Sequence, residues 1–581
     1  MILKRAEPKN YTWVRTQVTR GVHAWWARAF KRRVLQCPTC ALDLSRSALY
    51  KSTGVCERCG HHFPISARQR IELLSDPRSF EEFDKTIAAR PPASLSAEAT
   101  YPKRLRDAQR ETHMQEAVIT GVAGIEGLRA ILIVLDFRFM GGSMGWAVGE
   151  KIALAFERAS AEGLPVIAVT STGGARIQEG MLALMQLAKT AAAAQRLHAR
   201  GLPFVTLLAH PTTGGVYASF ANLADVILAE PRALVGFAGP RVVEALTRQK
   251  LPADSHRAEF QFAHGMVDGL VPRPQVREYV ARVLRQLTPR PAEAPAKKPV
   301  GPQPVDQSTA AVTTERAAWE IVRLARLAAR PTALDYIDRL FDNFVELHGD
   351  RLFGDDPAII AGLGSFEGRP VIIIGQERGH GPEAARRHEG RAEPEGYRKA
   401  LRAMRLAAKF HMPIITFVDT PGADPSYESE KRGVAMALAQ SIAAMTEINT
   451  PTVALVVGEG GSGGAIALAV ADRVLMQENA IYSVISPEGA SAILYGDVSH
   501  AEEVSDVLRL TARDLKRLGI VDDIIAEPRD GAHTDADLSA HLLRIRLSAA
   551  LAEVIGRDSQ TLLEQRYQKY RRIGNTNQEG A

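Results

Sequence analysis

Buried strands and buried helices alternate along most of this chain, and the clearest example lies in its second half. The apolar, β-branched run from Val453 to Val457 predicts a buried strand. A glycine-dense turn, Gly458 to Gly464, comes next, and an alanine-rich apolar segment then predicts a buried helix. Glycines between a strand and a helix let backbone N–H groups converge, and such groups favour an anion or a developing oxyanion. The turn is therefore a candidate oxyanion site.

The same order of strand, Gly-Gly turn and helix occurs earlier, at positions 202–225. Upstream of it, LPVIAVTSTGGARIQEG resembles MPIITFVDTPGADPSYESE, which lies upstream of the later turn. Gly174 and Gly422 in these two stretches are 248 positions apart, and Gly215 and Gly464 are 249 apart. Two signals at nearly one offset indicate two copies of one domain, so we expect the site to occur twice.

The rest of the pattern divides the chain into six segments. Strand, glycine turn and helix alternate from Glu116 onward, which argues for an α/β architecture. A stretch rich in proline and alanine between the copies is typical of an extended linker. Gly379 to Tyr397 predicts a charged excursion loop, and a polar helix with a frayed tail is expected after Ser548. The predicted segments are a basic tail (1–33), a cysteine-rich domain (34–65), the first copy (66–287), the linker (288–312), the second copy (313–560) and a C-terminal tail (561–581).

Composition is that of a globular protein with a mild positive charge. The chain has 581 residues, a net charge of +6 and a pI of about 9.1. This charge suits an anionic ligand, and solubility alone also accounts for it. No apolar run approaches the roughly 18 residues of a membrane helix, and no secretory signal is visible. We therefore predict a cytoplasmic protein.

All four cysteines lie near the start of the chain, with the spacing C-x2-C-x15-C-x2-C: Cys37, Cys40, Cys56 and Cys59. Each C-x2-C pair presents two thiolates to one ion, and four thiolates complete a tetrahedron around zinc. No coordination position stays open for a substrate, so we predict a zinc ribbon with one structural zinc ion per chain. His61 and His62 come directly after the last cysteine pair and are expected to lie outside the ligand set.

The basic segment before the ribbon contains three tryptophans: Trp13, Trp25 and Trp26. It is compatible with an amphipathic helix that touches lipid, nucleic acid or a partner, with a targeting peptide, and with a poorly ordered tail. Together with the ribbon, it suggests a secondary contact with nucleic acid.

Two other interpretations of the glycine motifs compete with the oxyanion site. The spacing of Gly458, Gly460 and Gly463 matches a dinucleotide-binding fingerprint, but a glycine-rich tract satisfies that pattern almost automatically. Ser462 and Ser143 both fit G-x-S-x-G, the nucleophile elbow of serine hydrolases. The histidines after Ser462 lie in polar or helical contexts, and the earlier copy has no matching serine. Both copies keep Gly-Gly, which favours backbone oxyanion holes.

Longer motifs carry a family resemblance. CPTC…CERCG, FMGGSMG, STGGARIQEG, PTTGGVYASFA and VGFAGPRVVE resemble the β subunit of bacterial acetyl-CoA carboxylase carboxyltransferase. DYIDRLFDNFVELHGDR, EPEGYRKALR, MPIITFVDTPGA, GEGGSGGAIAL and YSVISPEGASAILY resemble its α subunit. The chain resembles both subunits fused, with β first, over about residues 34–290 and 315–560. One departure is Asp424 before Pro425, where the α pattern commonly has tyrosine.

The resemblance implies a fold and a reaction. The fold would be two crotonase-type domains, each a ββα superhelix related to ClpP, in tandem behind the zinc ribbon. The chain would move a carboxyl group from carboxybiotin, held on a biotin carrier protein, to acetyl-CoA, giving malonyl-CoA for fatty acid biosynthesis. No biotin-carrier lysine motif or ATP-grasp pattern is visible, so biotin carboxylase and the carrier would be separate partners. The chain would form a homodimer or a higher oligomer, the equivalent of α2β2. A relative that uses propionyl-CoA or a longer acyl-CoA is the closest rival.

The resemblance also implies roles for individual residues. It implies that Gly214 and Gly215 form an oxyanion hole for the thioester. It implies that Gly463 and Gly464 form an oxyanion hole for biotin. The glycines that would shape the CoA side are Gly141, Gly142, Gly173 and Gly174. Those that would shape the biotin side are Gly422, Gly460 and Gly461. Arg176 is a candidate for a CoA phosphate, and an ordinary surface ion pair explains it equally well.

Overall fold

The computed structural model describes residues 36–89, 100–288 and 316–573, except positions 238, 240–242, 245–247, 249 and 253. The predicted tail 1–33, residues 289–312 of the predicted linker and residues 574–581 lie outside this part. Within it, no helix is both long and apolar enough to cross a membrane.

Two eight-stranded sheets are arranged in tandem in the described part of the chain. The strands of the first sheet are β1 Glu81–Phe83, β2 Val118–Ile125, β3 Leu128–Leu135, β4 Val166–Thr172, β5 Phe204–Thr213, β6 Val226–Ala229, β7 Val235–Gly236 and β8 Gly269–Leu270. Those of the second are β9 Asp342–Glu346, β10 Ile359–Phe366, β11 Arg369–Gln376, β12 Ile414–Thr420, β13 Thr452–Gly461, β14 Arg473–Gln477, β15 Ile481–Ser483 and β16 Asp523–Ile525.

The two sheets have the same topology. The first has the order β1-β2-β3-β4-β5-β6-β8 with β7 on β5, and the second has β9-β10-β11-β12-β13-β14-β16 with β15 on β13. In both, the first two strand pairs are antiparallel and the later ones are parallel. The predicted α/β architecture and the predicted duplication are therefore confirmed.

Helices cover both faces of the sheets, which is why the central strands are apolar at nearly every position. The first part of the chain has α1 Ala48–Thr53, α2 Ala67–Leu74, α3 Tyr101–Thr112, α4 Trp146–Glu162, α5 Met181–Ala199, α6 Gly214–Tyr217, α7 Ala258–Ala263 and α8 Val276–Leu287. The second part has α9 Ala318–Ala325, α10 Ala333–Leu340, α11 Pro382–Arg386, α12 Pro394–Phe410, α13 Tyr427–Lys431, α14 Val434–Glu447, α15 Ser462–Ala469, α16 Pro487–Tyr495, α17 Ala501–Val507, α18 Ala512–Arg517, α19 Ala536–Val554 and α20 Ser559–Arg572.

One apolar core runs through both copies, and ion pairs reinforce the contact between them. Lys409 at the end of α12 bonds both carboxylate oxygens of Asp225, each over 2.7 Å. Asp268 of the first copy is buried and pairs with Arg351 and Arg402 of the second. The two copies are thus packed as one body.

A buried carboxylate at the end of β6 binds two arginines, one of which holds the ribbon. Glu230 accepts bonds of 2.8 Å from Arg70 Nη1 and from Arg273 Nε. Burial opposes its ionisation, but the two guanidinium groups hold the pKa of Glu230 well below its usual range. Arg273 Nη1 also donates to the ribbon carbonyls of Thr53, at 2.9 Å, and Phe63, at 3.0 Å. The ribbon is therefore fixed to the first copy through Arg273.

Two predicted irregular segments are ordered elements. The polar helix expected after Ser548 is present as α20, and the predicted tail was wrong over residues 561–572, which belong to this helix. Arg566 on α20 is buried, bonds to Asp472 at 2.8 Å and donates to the carbonyls of Met445, Ile448 and Thr450. A helix with one buried arginine has a polar composition, so its pattern resembles that of a frayed end. The predicted excursion loop 379–397 contains α11 and the first turn of α12.

Candidate functional site

Three loops meet at the carboxyl edge of the first sheet, where ligands commonly bind in parallel α/β sheets. They are the turn after β3, the loop after β4 and the turn between β5 and α6. The Gly173 N–H donates to the Gly141 carbonyl over 2.8 Å. A Cβ on Gly142 would lie 2.1 Å from the Ser171 carbonyl oxygen. These predicted substrate-side glycines are therefore brought together, with Gly174 beside them.

Gly174 and Gly214 hold the second and third loops in backbone contact. Their φ angles are +106° and +67°. A Cβ on Gly174 would lie 2.9 Å from Gly214 Cα and 3.0 Å from Gly215 N. Only glycine permits both this conformation and this approach.

The predicted Gly-Gly pair does not act as a pair of free donors. The Gly214 N–H is occupied, since it donates to the Phe237 carbonyl over 2.8 Å. The Gly215 N–H has no acceptor among the described residues. Gly215 therefore supplies one free donor at this edge, and Gly214 supplies the turn.

A second free donor comes from Ala175, a residue for which the sequence predicts no role. The Met144 N–H donates to the Gly174 carbonyl over 2.8 Å, and the Met144 carbonyl accepts the Arg176 N–H over 2.9 Å. In a parallel bridge of this kind, the N–H of the intervening Ala175 points to the opposite side, where Gly215 lies. No described acceptor bonds it. We call the N–H groups of Ala175 and Gly215 the first hole; the repeated Gly-Ala pair was the signal that pointed to it.

The second copy repeats this construction. The Gly422 N–H donates to Thr420 Oγ1 at 3.0 Å, as the Gly174 N–H does to Thr172 Oγ1 at the same distance. A Cβ on Gly461 would lie 2.3 Å from the carbonyl carbon of Pro421, so this approach also requires glycine.

The loop after β11 in the second copy is also equivalent to the turn after β3 in the first. A Cβ on Gly390 would lie 2.7 Å from the Asp419 carbonyl oxygen, as one on Gly142 would lie 2.1 Å from that of Ser171. Both pairs of counterparts are 248 positions apart.

Both copies also share one irregularity just before the turn. The β4–β5 register shifts so that Thr172 pairs with Thr212, and the β12–β13 register shifts so that Thr420 pairs with Gly460. A bulge of this kind bends a strand and redirects the chain beyond it. Here too the counterparts are 248 positions apart.

This register corrects the alignment of the two glycine pairs. It matches Ser462 with Gly214 and Gly463 with Gly215, because both matches are 248 apart. Ser462 has a φ of +51° and Gly214 one of +67°, and each begins the helix after the turn. The sequence alignment of Gly215 with Gly464 was wrong by one position, since identical glycines outweighed backbone conformation.

The second hole consists of the N–H groups of Ala423 and Gly463, the equivalents of those in the first. Neither has an acceptor among the described residues. Gly464 lies one residue further into α15, where a Cβ would meet Ala423 N at 2.5 Å. Because Gly464 has no side chain, the space beside the Ala423 N–H remains open. Gly460 packs against the Tyr482 ring, where a Cβ would lie 2.9 Å from the nearest ring carbon.

Neither serine elbow has a catalytic base among the residues that the structure describes. Ser462 is exposed, and no hydrogen bond joins its Oγ to a described residue. Ser143 Oγ donates to the Met140 carbonyl at 2.9 Å and accepts from Arg176 Nε at 3.1 Å. A serine nucleophile needs a histidine within hydrogen-bond reach, so the described geometry does not support a serine hydrolase.

Arg176 is buried, which corrects both of its predicted roles. Its side chain is 0% exposed, so it cannot reach a CoA phosphate or form a surface pair. Nη1 donates to Glu116 at 2.8 Å and to Glu179 at 3.2 Å, and Nη2 donates to the Ser143 carbonyl at 2.9 Å. The guanidinium therefore ties the loops beneath the first hole together. A short turn, Ile177–Glu179, separates it from α5.

A charged cluster distinguishes the second copy from the first. Arg378 Nη1 lies 3.4 Å from Asp419 Oδ1 and 3.3 Å from Glu459 Oε2, and the Glu459 N–H donates to Asp419 over 2.9 Å. Burial raises the pKa of Asp419, against the Arg378 charge. The counterparts of the two acids, 248 positions earlier, are the uncharged residues Ser171 and Pro211. The two holes therefore offer different electrostatic surroundings.

The four cysteines of the ribbon converge as their spacing predicts. Cys37 and Cys59 Sγ lie 3.5 Å apart, Cys40 and Cys56 Sγ lie 3.6 Å apart, and all four sulfurs lie within 4.8 Å of one another. Sulfurs bound tetrahedrally at about 2.3 Å from one ion are separated by about 3.8 Å. The cluster thus fits one tetrahedral metal ion. His61 lies outside it and bonds Thr39 Oγ1 through Nδ1 at 3.2 Å.

Known proteins resemble this chain in sequence and in fold. A family profile described as acetyl co-enzyme A carboxylase carboxyltransferase-like matches residues 302–574. The "Acetyl-coenzyme A carboxylase carboxyl transferase subunits beta/alpha" of Salinispora tropica is 45% identical over 548 residues, covering 93% of this chain and 96% of the relative. The protein of the same name from Natranaerobius thermophilus is 42% identical over 552 residues, covering 93% and 91%. A transcarboxylase 12S hexamer, solved with methylmalonyl-coenzyme A and methylmalonic acid bound, has the same fold, with a TM-score of 0.67, 21% identity and coverage of 94% and 97%.

Proposed function

This chain belongs to the acetyl-CoA carboxylase carboxyltransferase family, with the β and α subunits fused, and we propose that it transfers a carboxyl group from carboxybiotin to acetyl-CoA, forming malonyl-CoA. The observation that carries the proposal is the pair of equivalent holes, each made of two backbone N–H groups, in two copies of one domain. A carboxyl transfer between two carbonyl compounds needs negative charge to be stabilised on both, and two holes supply that.

The first hole faces the thioester. Removal of a methyl proton from acetyl-CoA places negative charge on the thioester oxygen, and the N–H groups of Ala175 and Gly215 are the donors for it. One such donor accounts for a factor of roughly 10²–10³ in rate in enzymes that use this device. Gly174 and Gly214 contribute by holding the two loops in contact.

The second hole faces the ureido oxygen of biotin, through Ala423 and Gly463. Biotin supplies a ring nitrogen that carries and releases the carboxyl group. Arg378 has only one nitrogen in hydrogen bonds with Asp419 and Glu459, and its side chain is 20% exposed, so other N–H groups are available to an incoming carboxylate. This chain's residues bind and orient the two substrates and stabilise charge; the described part offers no paired nucleophile and base at either hole.

The ribbon holds a structural zinc ion through its four cysteines. Zinc is favoured because a tetrahedron of four cysteine thiolates with no open position is typical of structural zinc sites. We propose that biotin arrives on a carrier protein after carboxylation by a biotin carboxylase. We also retain the prediction of a cytoplasmic location.

A second copy of this chain completes the working assembly. The first copy exposes Ile177 by 81%, Met181 by 64% and Phe237 by 71%, and the second exposes Ile493 by 74% and Leu494 by 65%. Phe237 borders the first hole, because its carbonyl accepts the Gly214 N–H. Apolar side chains exposed in groups mark interfaces between proteins. Met181→Glu is expected to shift the mass of the native particle toward the monomer in mass photometry.

The decisive experiment is carboxyl transfer in reverse, with purified protein, malonyl-CoA and biocytin, while acetyl-CoA release is followed. Methylmalonyl-CoA is assayed in parallel. Turnover that requires both malonyl-CoA and biocytin supports the proposal. A preference for methylmalonyl-CoA changes the substrate, and thioester cleavage without biocytin refutes carboxyl transfer.

A further inference from the structure

A buried tyrosine hydroxyl without a hydrogen-bond partner lies against the second hole. Tyr397 is in the first turn of α12 and is 0% exposed. Its hydroxyl forms no hydrogen bond with any residue that the structure describes. Buried hydroxyl groups usually have a partner, because an unpaired one has lost its bonds to water and gained none in return. The partner of this hydroxyl is therefore to be sought in what binds beside it.

The geometry around Gly464 shows how close the hydroxyl is to the hole. A Cβ on Gly464 would lie 3.0 Å from Tyr397 Oη and 2.5 Å from the nitrogen of Ala423. The hydroxyl and this donor of the second hole therefore border one small space, which the missing side chain of Gly464 leaves open. An oxygen that accepts the Ala423 N–H there has the Tyr397 hydroxyl as its neighbour.

The first hole has no hydroxyl in this position. The helices α4 and α12 begin 248 positions apart, so Gly149 is the counterpart of Tyr397. At the same offset, the buried Val216 is the counterpart of Gly464. The glycine of the pair is thus on the helix in the first copy and at the turn in the second. A phenylalanine at position 397 would fill the same volume, so packing accounts for the ring and does not account for the hydroxyl.

The hydroxyl of Tyr397 keeps its proton. Burial raises the pKa of Tyr397, and the charges of Asp356 and Asp424 raise it further. The group is therefore a neutral donor over the whole working range of pH. A hydrogen bond from such a donor is strongest when the oxygen that accepts it carries negative charge.

We propose that the Tyr397 hydroxyl is a third donor of the second hole and bonds the ureido oxygen of biotin, beside the N–H groups of Ala423 and Gly463. The proposal rests on the proposed function for the identity of this ligand. When the carboxyl group leaves the ring nitrogen, negative charge develops on the ureido oxygen, which is then the acceptor that no described residue provides. Because the first hole lacks this donor, the hydroxyl distinguishes the biotin side from the thioester side.

Tyr397→Phe tests the proposal, since it removes the hydroxyl and keeps the ring. The assay is the reverse reaction with malonyl-CoA and biocytin. We expect kcat/KM for biocytin to fall at least tenfold, with KM for malonyl-CoA within about twofold of wild type, because only the second hole loses a donor. Thermal unfolding without substrate is the second readout. The Tm should equal or exceed that of the wild type, because the variant loses a buried polar group that has no partner.

Tyr336→Phe is the matched control. Tyr336 is also fully buried, but its hydroxyl bonds Ser539 Oγ at 2.9 Å and Gln477 Oε1 at 3.2 Å. Loss of these bonds should lower the Tm and leave kcat/KM for biocytin within about twofold of wild type.

The possible outcomes separate the proposal from the proposed function. An unchanged kcat/KM for biocytin in folded Tyr397→Phe overturns the donor role and leaves carboxyl transfer intact. A lowered Tm in Tyr397→Phe, with an equal loss of activity in Tyr336→Phe, also overturns it, because general destabilisation then explains both losses. If the wild type itself shows no turnover that depends on biocytin, the proposed function is refuted and the donor role falls with it.

Discussion

Gly174→Ala is the substitution that most directly tests the first hole. The new Cβ would lie 2.9 Å from Gly214 Cα and 3.0 Å from Gly215 N, and ordinary contacts begin at 3.4 Å. The turn must therefore retreat by about 0.5 Å, which is the tolerance within which a catalytic group must be held. Alanine at a φ of +106° adds a backbone cost of roughly 1–2 kcal/mol, and overpacking adds about 1–3 kcal/mol.

Most of this cost falls on the loop contact that aims the Gly215 N–H. We expect kcat/KM for malonyl-CoA and biocytin to fall by roughly 10²-fold, in line with the removal of one oxyanion donor. The assay is the reverse reaction, run at a temperature where circular dichroism shows the variant to be folded.

Gly163→Ala is the control for strain alone. Gly163 has a φ of +68°, no atom would lie within 4 Å of its new Cβ, and it caps α4 away from both holes. Its activity should stay within about twofold of wild type. If folded Gly174→Ala kept more than about a tenth of wild-type activity, the role of this contact in aiming the donor would be refuted.

Three further predictions concern the ribbon and the second turn. Cys56→Ser should reduce bound zinc from about one ion per chain to well below half, measured by metal analysis after dialysis, because three thiolates hold zinc less tightly than four; unchanged zinc content would contradict the four-cysteine site. Ser462→Ala should keep at least about a third of wild-type turnover, since the hole uses backbone N–H groups; a loss of about 10³-fold would return attention to a serine nucleophile. Glu230→Gln should lower stability by about 3–5 kcal/mol, because it leaves Arg70 and Arg273 without their buried counter-charge. Faster proteolysis of the ribbon in this variant would report the loss, and wild-type protease resistance would contradict it.

The duplicated architecture could be predicted from the hydrophobic pattern, because strands that are buried on both faces must be apolar at successive positions. The spacing of the four cysteines likewise predicts their convergence, since each C-x2-C pair fixes two ligands locally. The cysteine spacing depends on neighbours in sequence, and the duplication is visible as similar motifs 248 positions apart. Both signals can be recognised in a single sequence.

Contacts between distant loops were harder to predict. The match of Ser462 with Gly214 depends on a shared backbone conformation, and a serine in a left-handed turn carries no obvious sequence signal. The role of Ala175 depends on the side of a β-bridge to which its backbone N–H points. The sequence does not indicate that direction. Arg176 was misjudged because burial of a guanidinium requires Glu116, which lies 60 positions away.

The pairing of Asp225 with Lys409, and of Asp472 with Arg566, bears on the order in which the chain is made. Asp225 of the first copy pairs with Lys409 of the second copy, and Asp472 of the second copy pairs with Arg566 of the last helix. Synthesis proceeds from the N-terminus, so each of these carboxylates is synthesised before the cation that pairs with it. The second copy cannot be completed until α20 has emerged, and a chain truncated before that helix would keep the Asp225–Lys409 pair but leave Asp472 without Arg566.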